Sequence, residues 1–415
     1  MANLIEALKE TNRWWSGQLE LDYKDREIYP DLRRFLPERQ IIALTGLRRV
    51  GKTTLMLRLA KEWAGPRENV VYFSFDDFRD VRIADVLKAY SELMGKDLDE
   101  GAYLILLDEL QKVRGWEEQV KRIYDNRRNF KIIISGSESL FIRKGSRESL
   151  AGRFFEFRVG QLSFREFLGF RGAEVKNMRL QEAELAALFR RYLLTNGFPE
   201  LIDSDVQVIR KYLKEGIIQK AVYRDIPQIM PVGEPAIMES ILNIIMKDPG
   251  QMLNMEELAG EMGISRQTVS LYLDYLEKSY LIRKLYNFSA SARKTERKLK
   301  KYYPAIISPD LIEKSEWGKV IETAAVVSSG AEFFWRDAYK REVDIVLAGK
   351  ELLPIEVKSG KAETKNLLFF MEKFKAGRGF VLTTEEEDNI VSSGRKITVV
   401  PLWKWLLQSQ SSKKD

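Results

Sequence analysis

The stretch TGLRRVGKT (Thr45–Thr53) restricts the fold of this chain more than any other. It follows RQIIALTG (Arg39–Gly46), an apolar run of strand length, and it leads into TLMLRLAKEWA, whose apolar spacing is helical. Strand, glycine-rich loop and helix with G-x-x-x-x-G-K-T at the junction make a phosphate-binding loop in an α/β parallel-sheet domain. In such a loop main-chain N–H groups turn toward phosphate oxygens, and glycine serves where a side chain would block the approach. Gly46, Leu47, Arg48, Arg49, Val50, Gly51, Lys52, Thr53 and Thr54 are therefore the expected nucleotide cradle. Lys52 is expected at the β- and γ-phosphates of ATP, with the Thr53 hydroxyl on Mg2+.

Further strands follow at the spacing of alternating strands and helices. NVVYFSFDD (Asn69–Asp77) ends in acids. AYLILLDELQ (Ala102–Gln111) ends in Asp108 and Glu109, which after a phosphate loop are expected to hold Mg2+ (Asp108) and to orient or deprotonate the attacking water (Glu109). FKIIISGSES (Phe130–Ser139) brings Ser135 and Ser137 beside that strand, either for the γ-phosphate or the water, or as an ordinary polar turn. SLAGRFFEF (Ser149–Phe157) presents Arg153 before another strand, as a surface charge or as an arginine finger acting across a subunit boundary.

The set GLRRVGKTT, LLDELQKV, IIISGSES, LAGR and QLSFREF (Gln161–Phe167) resembles a family of prokaryotic, often archaeal, AAA+-type ATPases that carry a further C-terminal region. The resemblance implies an ATP-dependent homo-oligomer, often a ring. It carries nucleotide roles onto Gly46, Gly51, Lys52, Thr53, Asp108 and Glu109, and a finger role onto Arg153.

Composition narrows the chemistry. The chain has 415 residues, enough for two or three domains, and neither cysteine nor histidine. Zinc-thiolate sites, thiol nucleophiles and Ser-His-Asp triads are thereby excluded. Carboxylates, lysines, arginines and a hard cation on oxygen ligands remain. The formal charge of +7 suits a polyanionic partner. No segment approaches the roughly 20 apolar residues that span a bilayer, and MANLIEALKETNRWW does not read as a signal peptide, so a cytoplasmic protein without membrane contact is expected.

Between Glu182 and Lys247 the apolar spacing is helical, broken at Gly197-Phe198-Pro199, and resembles the helical lid after an AAA+ core. Arg190 and Arg191 there read as solvated charges or nucleotide sensors. MLNMEELAGEMGISRQTVSLYLDYLEKSYLIRKLY (Met252–Tyr286) reads as helix, turn at Gly263, helix and β-wing. Ala259, Ile264, Val269, Leu273 and Leu276 supply its core. Ser265 caps the second helix, whose Arg266, Gln267, Ser270 and Tyr272 are expected to face DNA. The run RKLYNFSASARKTERKLKKYY (Arg283–Tyr303) adds Arg293, Lys294 and Arg297 among aromatic residues, a phosphate-backbone contact or a solvated linker.

In the last third, Glu322 sits on a helix, Asp344 on one hairpin strand and Glu356-Val357-Lys358 on the next. Strand alternation places Glu356 and Lys358 on one face. This arrangement resembles the PD-(D/E)XK nuclease-like fold, with Val343 where the family pattern has proline before the aspartate. The resemblance implies phosphodiester cleavage resting on Glu322, Asp344, Glu356 and Lys358, with Mg2+ or Mn2+ on Asp344 and Glu356, and Lys358 activating water or stabilising developing phosphorane charge.

The expected architecture is α/β: an N-terminal segment (1–38), a P-loop AAA+-type core (39–160), a helical lid (161–247), a winged helix-turn-helix (248–291), a basic linker (292–303) and a restriction-endonuclease-like domain (304–415). The expected function is ATP hydrolysis coupled to remodelling, translocation on, or cleavage of duplex, forked or junction DNA. The alternative is a nucleotide-gated, protein-binding switch with a non-catalytic nuclease-like domain.

Overall fold

The computed structural model describes residues 2–17, 20–78, 80–136, 150–289, 299–392 and 394–409. Its contacts divide into two units, one of residues 1–162 with 223–232 and the other of residues 163–222 with 233–415. The first break falls two residues from the expected end of the core.

The first unit is a five-stranded parallel sheet in the order β2-β3-β4-β1-β5. The strands are β1 (Ile41–Thr45), β2 (Val70–Ser74), β3 (Tyr103–Asp108), β4 (Phe130–Gly136) and β5 (Phe154–Arg158). β1, β3 and β4 are buried along their whole length, as strands with both faces covered must be. One face packs Ile41, Ala43, Phe73, Ile105 and Ile134 against the helices Ala2–Thr11, Ile83–Met94 and Trp116–Asn126. The helix Lys52–Glu62 buries Leu55, Met56, Leu59 and Ala60 and packs against β3 and β4. Each large side chain of that set contributes about 1.5–3 kcal/mol.

Residues 1–38 are not a separate segment. Leu4 and Leu8 enter the sheet's core, and Asn12 exchanges hydrogen bonds with the main chain of Tyr72 at 2.7 and 2.9 Å. The Trp14 and Trp15 indoles both donate to the Val70 carbonyl, so this stretch covers the edge strand β2.

The second unit opens with helices over 164–222, includes Pro235–Lys247, and continues into the pair Met255–Met262 and Arg266–Lys278, joined through Gly263 at φ +66°. Ser265 Oγ accepts from the Thr268 N–H at 3.1 Å, the expected cap. The helices read as one lid instead divide. Residues 223–232 pack with the first unit, where Asp225 pairs with Arg48 of the phosphate loop and Arg224 with Asp76, just after β2, and the rest pack with the second.

The expected wing is also differently employed. β6 (Ile282–Asn287) and β7 (Lys300–Pro304) are antiparallel neighbours, and β6 continues onto β8 (Phe333–Arg336). With β9 (Glu342–Ala348), β10 (Leu352–Val357), β11 (Arg378–Thr383), β12 (Asp388–Ser392) and β13 (Arg395–Pro401) they form one eight-stranded sheet, ordered β12-β13-β11-β10-β9-β8-β6-β7. The boundary at 303/304 is therefore lost: residues 300–304 are a sheet strand, with Tyr302 and Tyr303 buried. Helix Lys365–Phe374 seals one face through Leu367, Phe370 and Met371, packed on Trp335. Among the described residues no helix is long and apolar enough to cross a membrane.

Candidate functional site

The phosphate loop leaves β1 at Gly46, where φ is +146° and an added Cβ would lie 2.1 Å from the Val159 carbonyl oxygen. Only glycine fits. Gly51 at φ +95° turns the chain into the helix Lys52–Glu62, whose first N–H groups and dipole favour an anion. Arg26 donates to Val50 O at 2.7 Å and Gly160 O at 2.9 Å, tying the loop to the strand-end beside it. Lys52 folds back, donating to Gly46 O at 3.0 Å and Leu47 O at 2.8 Å. Burial pushes this ammonium below the ordinary lysine value, while Glu109 and Asp108 pull it up. A buried cation lying along the loop is ready to exchange two carbonyls for phosphate oxygens.

The strand order places β4 between β1 and β3, so three strand ends meet at Asp108. Its Oδ2 accepts from Thr53 Oγ1 at 2.6 Å and from the Tyr72 hydroxyl at 3.0 Å. Its Oδ1 accepts from Ser135 Oγ and from the Glu109 N–H at 3.0 Å. Burial, then the Asp108 charge, raises the Tyr72 phenol, which stays protonated as a donor. A hydroxyl and a carboxylate at contact distance are the oxygen donors that Mg2+ takes alongside water and phosphate, so Thr53 and Asp108 fit that ion.

Glu109 takes the left-handed backbone region at φ +55°. Gln111 Nε2 donates to its Oε2 at 2.6 Å, and Arg48 Nη2 lies 4.0 Å from the same oxygen. Arg48 is clamped by both oxygens of Asp225, one contact at 2.8 Å. Burial works against the Arg48 charge, but the hydrogen bonds and charge of Asp225 outweigh it and raise its pKa.

Ser135 is brought to this centre, whereas Ser137 lies outside the described residues. Arg153 is not brought there. It precedes β5 at the Ile41 end of β1, whereas the loop leaves β1 at Thr45. Its guanidinium pairs with Asp125 at 2.9 and 3.2 Å. Arg191 donates to the Ile202 carbonyl at 3.1 Å and supports a turn. Tyr72, Gln111, Arg26 and Asp225 went unread in the sequence. Tyr72 was within reach, since it lies on the strand beside Asp108, but nothing local marks Asp225.

The second unit carries another charged centre. Asp344 on β9 lies beside Glu356 on β10, and Asp344 Oδ2 accepts from the Val357 N–H at 2.8 Å. Lys358 Nζ sits 2.8 Å from Glu356 Oε1. Glu356 Oε2 is buried without a hydrogen-bond partner. Glu322 accepts from the Tyr303 hydroxyl at 2.6 Å. All four residues expected from the sequence thus gather, and Lys301, Tyr303 and Glu342 join them. Burial first, then Glu322 and Glu356, pushes the Asp344 carboxyl well above its usual range. Burial likewise raises Glu356, against the pull of Lys358. Among the described residues no group of three or more carboxylates is arranged to hold a metal ion. Two carboxylates completed by water and phosphate oxygens are nevertheless a Mg2+-type donor set, and the unpartnered Glu356 Oε2 fits a cation ligand.

On the helix Arg266–Lys278, Gln267 and Ser270 are exposed, and Arg266 is exposed beside Glu256 at 3.4 Å. Tyr272 does not face outward: it is buried with Val269, Leu273 and Leu276, and its hydroxyl accepts from the Glu234 N–H at 3.2 Å. The spacing 269, 272, 273, 276 is one helical face, so packing claims the ring. Arg293, Lys294 and Arg297 lie outside the described residues.

Residues 38–168 match the family model of an AAA domain. Residues 186–305 and 321–405 match two domains of unknown function, DUF8612 and DUF4143. Two uncharacterized proteins of Methanocaldococcus jannaschii are 27% and 25% identical, over 84% and 94% of this chain and 81% and 93% of theirs. An uncharacterized protein of Haemophilus influenzae is 24% identical over 89% of this chain and 94% of its own. Among solved structures, the Orc1 protein of Aeropyrum pernix in complex with DNA is similar at 14% identity and TM-score 0.34, covering 73% of this chain and 95% of that one. C. elegans PCH-2 is similar at 15% identity and TM-score 0.28, covering 64% and 72%. Likenesses at these scores are too distant to bear on function.

Proposed function

We propose that this chain hydrolyses ATP at the phosphate loop of its first unit and uses the cycle to act on DNA bound by its second, as a cytoplasmic homo-oligomer. The observation that carries the ATPase reading is the convergence of Thr53, Tyr72 and Ser135 on the Asp108 carboxylate beneath the Gly46–Thr53 loop. Lys52 holds the β- and γ-phosphates, Thr53 and Asp108 hold Mg2+, and Glu109 orients the attacking water or takes its proton. Arg153, at the Ile41 end of β1, acts on the nucleotide of a neighbouring subunit. Exposed Arg266, Gln267 and Ser270 contact DNA, with Arg293, Lys294 and Arg297 on its backbone. Asp344 and Glu356 hold one Mg2+ or Mn2+ ion, which supplies Lewis acidity toward a phosphodiester. Lys358 steadies the charge that develops there, and Glu322 keeps its place through Tyr303.

The test measures ATP turnover with and without forked duplex, and plasmid cleavage with Mg2+ or Mn2+, for the native chain, Lys52→Ala and Glu356→Ala. DNA-stimulated turnover lost in Lys52→Ala, with cleavage lost in Glu356→Ala, supports the whole reading. Stimulation without cleavage leaves a DNA-remodelling ATPase. Turnover indifferent to DNA, with no cleavage, sinks the DNA reading. That result favours the nucleotide-gated protein-binding switch, for which the clamp of Arg48 by Asp225 speaks.

A further inference from the structure

Lys301 belongs by sequence to a basic run, yet its side chain is only 7% exposed. Residues of a solvated linker do not bury an ammonium. The cause lies across the sheet, where β7 delivers this lysine among carboxylates. Its Nζ stands 2.5 Å from Glu342 Oε1, 3.5 Å from Glu322 Oε1 and 3.9 Å from Asp344 Oδ1, over the Phe334 ring at 5.6 Å. Its pKa is held above the ordinary lysine value: burial opposes the charge, and Glu322, Asp344 and Glu342 together outweigh it. Tyr303, two residues on, points the same way and fixes Glu322.

The charges do not balance with Lys301 alone. Glu322, Glu342, Asp344 and Glu356 face three fixed cations, the ammonium groups of Lys301 and Lys358 and the Arg336 guanidinium, 3.4 Å from Glu342. The uncovered demand falls on Glu356, which is 5% exposed and whose Oε2 has no hydrogen-bond partner among the described residues. One further divalent cation beside Asp344 and Glu356 would cover the carboxylate charge left over there. A second would have to displace Lys301.

We propose that Lys301 is the built-in second cation of this carboxylate centre, a tethered ammonium that restricts it to a single divalent ion held by Asp344 and Glu356. The inference rests on the reading of those two carboxylates as cation ligands. Lys301 is a positioning residue. It holds Glu322 and Glu342 on the far side of the centre, and it stabilises charge without needing to be loaded.

The test is Mn2+ binding to the full chain without nucleotide, counted by the electron paramagnetic resonance signal of free Mn2+. Asp108→Asn serves as background, so that the phosphate-loop carboxylate does not contribute. The native centre should bind one ion, lost in Glu356→Gln. Lys301→Met should bind two ions, or one at least about tenfold more tightly, as removal of a cation some 4 Å away requires. Lys301→Arg should return the count to one. If Lys301→Met unfolds by circular dichroism, Lys301→Gln, which keeps a donor for Glu342, takes its place. Unchanged count and affinity in the neutral variants would overturn the proposal and leave Lys301 a packing residue. No ion on the native chain, but one on Lys301→Met, would overturn the single-ion form, with Lys301 holding the only cation place. No ion on any variant would overturn it together with the ligand roles of Asp344 and Glu356.

Discussion

Replacing Asp225 with alanine strands the Arg48 guanidinium, whose side chain is 15% exposed, with Glu109 at 4.0 Å as its remaining ionic neighbour. Asp225 is equally enclosed, at 9%. Breaking a buried pair from one side costs about 3–5 kcal/mol, and the residual access to water places this one near 3. The loss falls on the segment Tyr223–Val232, since among the described residues this pair and the contact of Arg224 with Asp76 at 3.6 Å tie it by charge to the rest of the first unit. Amide hydrogen exchange reads the opening of that segment directly, and about 3 kcal/mol is roughly a 150-fold acceleration. Arg48→Ala should accelerate the same amides. The double replacement should add little to the larger single effect, because both remove one interaction. A change below about threefold, or equal acceleration at β4, would refute the reasoning: the clamp would then carry no local stability.

Gly46→Ala should abolish nucleotide binding, because its Cβ would lie 2.1 Å from a main-chain oxygen; titration with a fluorescent ATP analogue measures the loss. Lys131 donates to the carbonyls of Phe35, Glu38 and Gln40, and burial lowers its pKa from 10.5 to about 8. The unfolded chain therefore binds the extra proton between those values, and stability relative to Lys131→Met should rise with pH across about 8 to 10.5, checked by urea unfolding. Arg266→Ala should weaken DNA binding by about 1–3 kcal/mol if it reads a base, or lower the salt slope by about 1 if it meets phosphate, separable by titration at several salt concentrations.

The phosphate loop was legible because its chemistry is local. Two glycines, a lysine and a threonine within eight residues, directly after an apolar strand, state their purpose without help from elsewhere. β1, β3 and β4 fall inside the expected strands for the same reason, as unbroken apolar runs. Tyr272 was misread although its phase was in plain view, since 269, 272, 273 and 276 share one helical face. Lys301 and Asp225 were not legible at all. A lysine among lysines looks solvated until Glu322 and Glu342 arrive from other strands and helices. An aspartate after an arginine carries no mark of the loop some 177 positions away. Charges that act at long sequence separation are set by topology, and topology is where a single sequence says least.

The first unit is not closed when its own stretch of chain ends. Asp225 arrives 63 residues after Leu162, past the first helices of the second unit. At about 5–20 residues per second, a chain being synthesised would wait on the order of ten seconds between completing its parallel sheet and receiving the carboxylate that clamps Arg48. During that interval Arg48 of the phosphate loop lacks the Asp225 carboxylate. A shortened chain stopping at Leu162 would lack that carboxylate permanently, so the whole of the first unit is present only in a chain that runs through Val232 and carries the intervening helices with it.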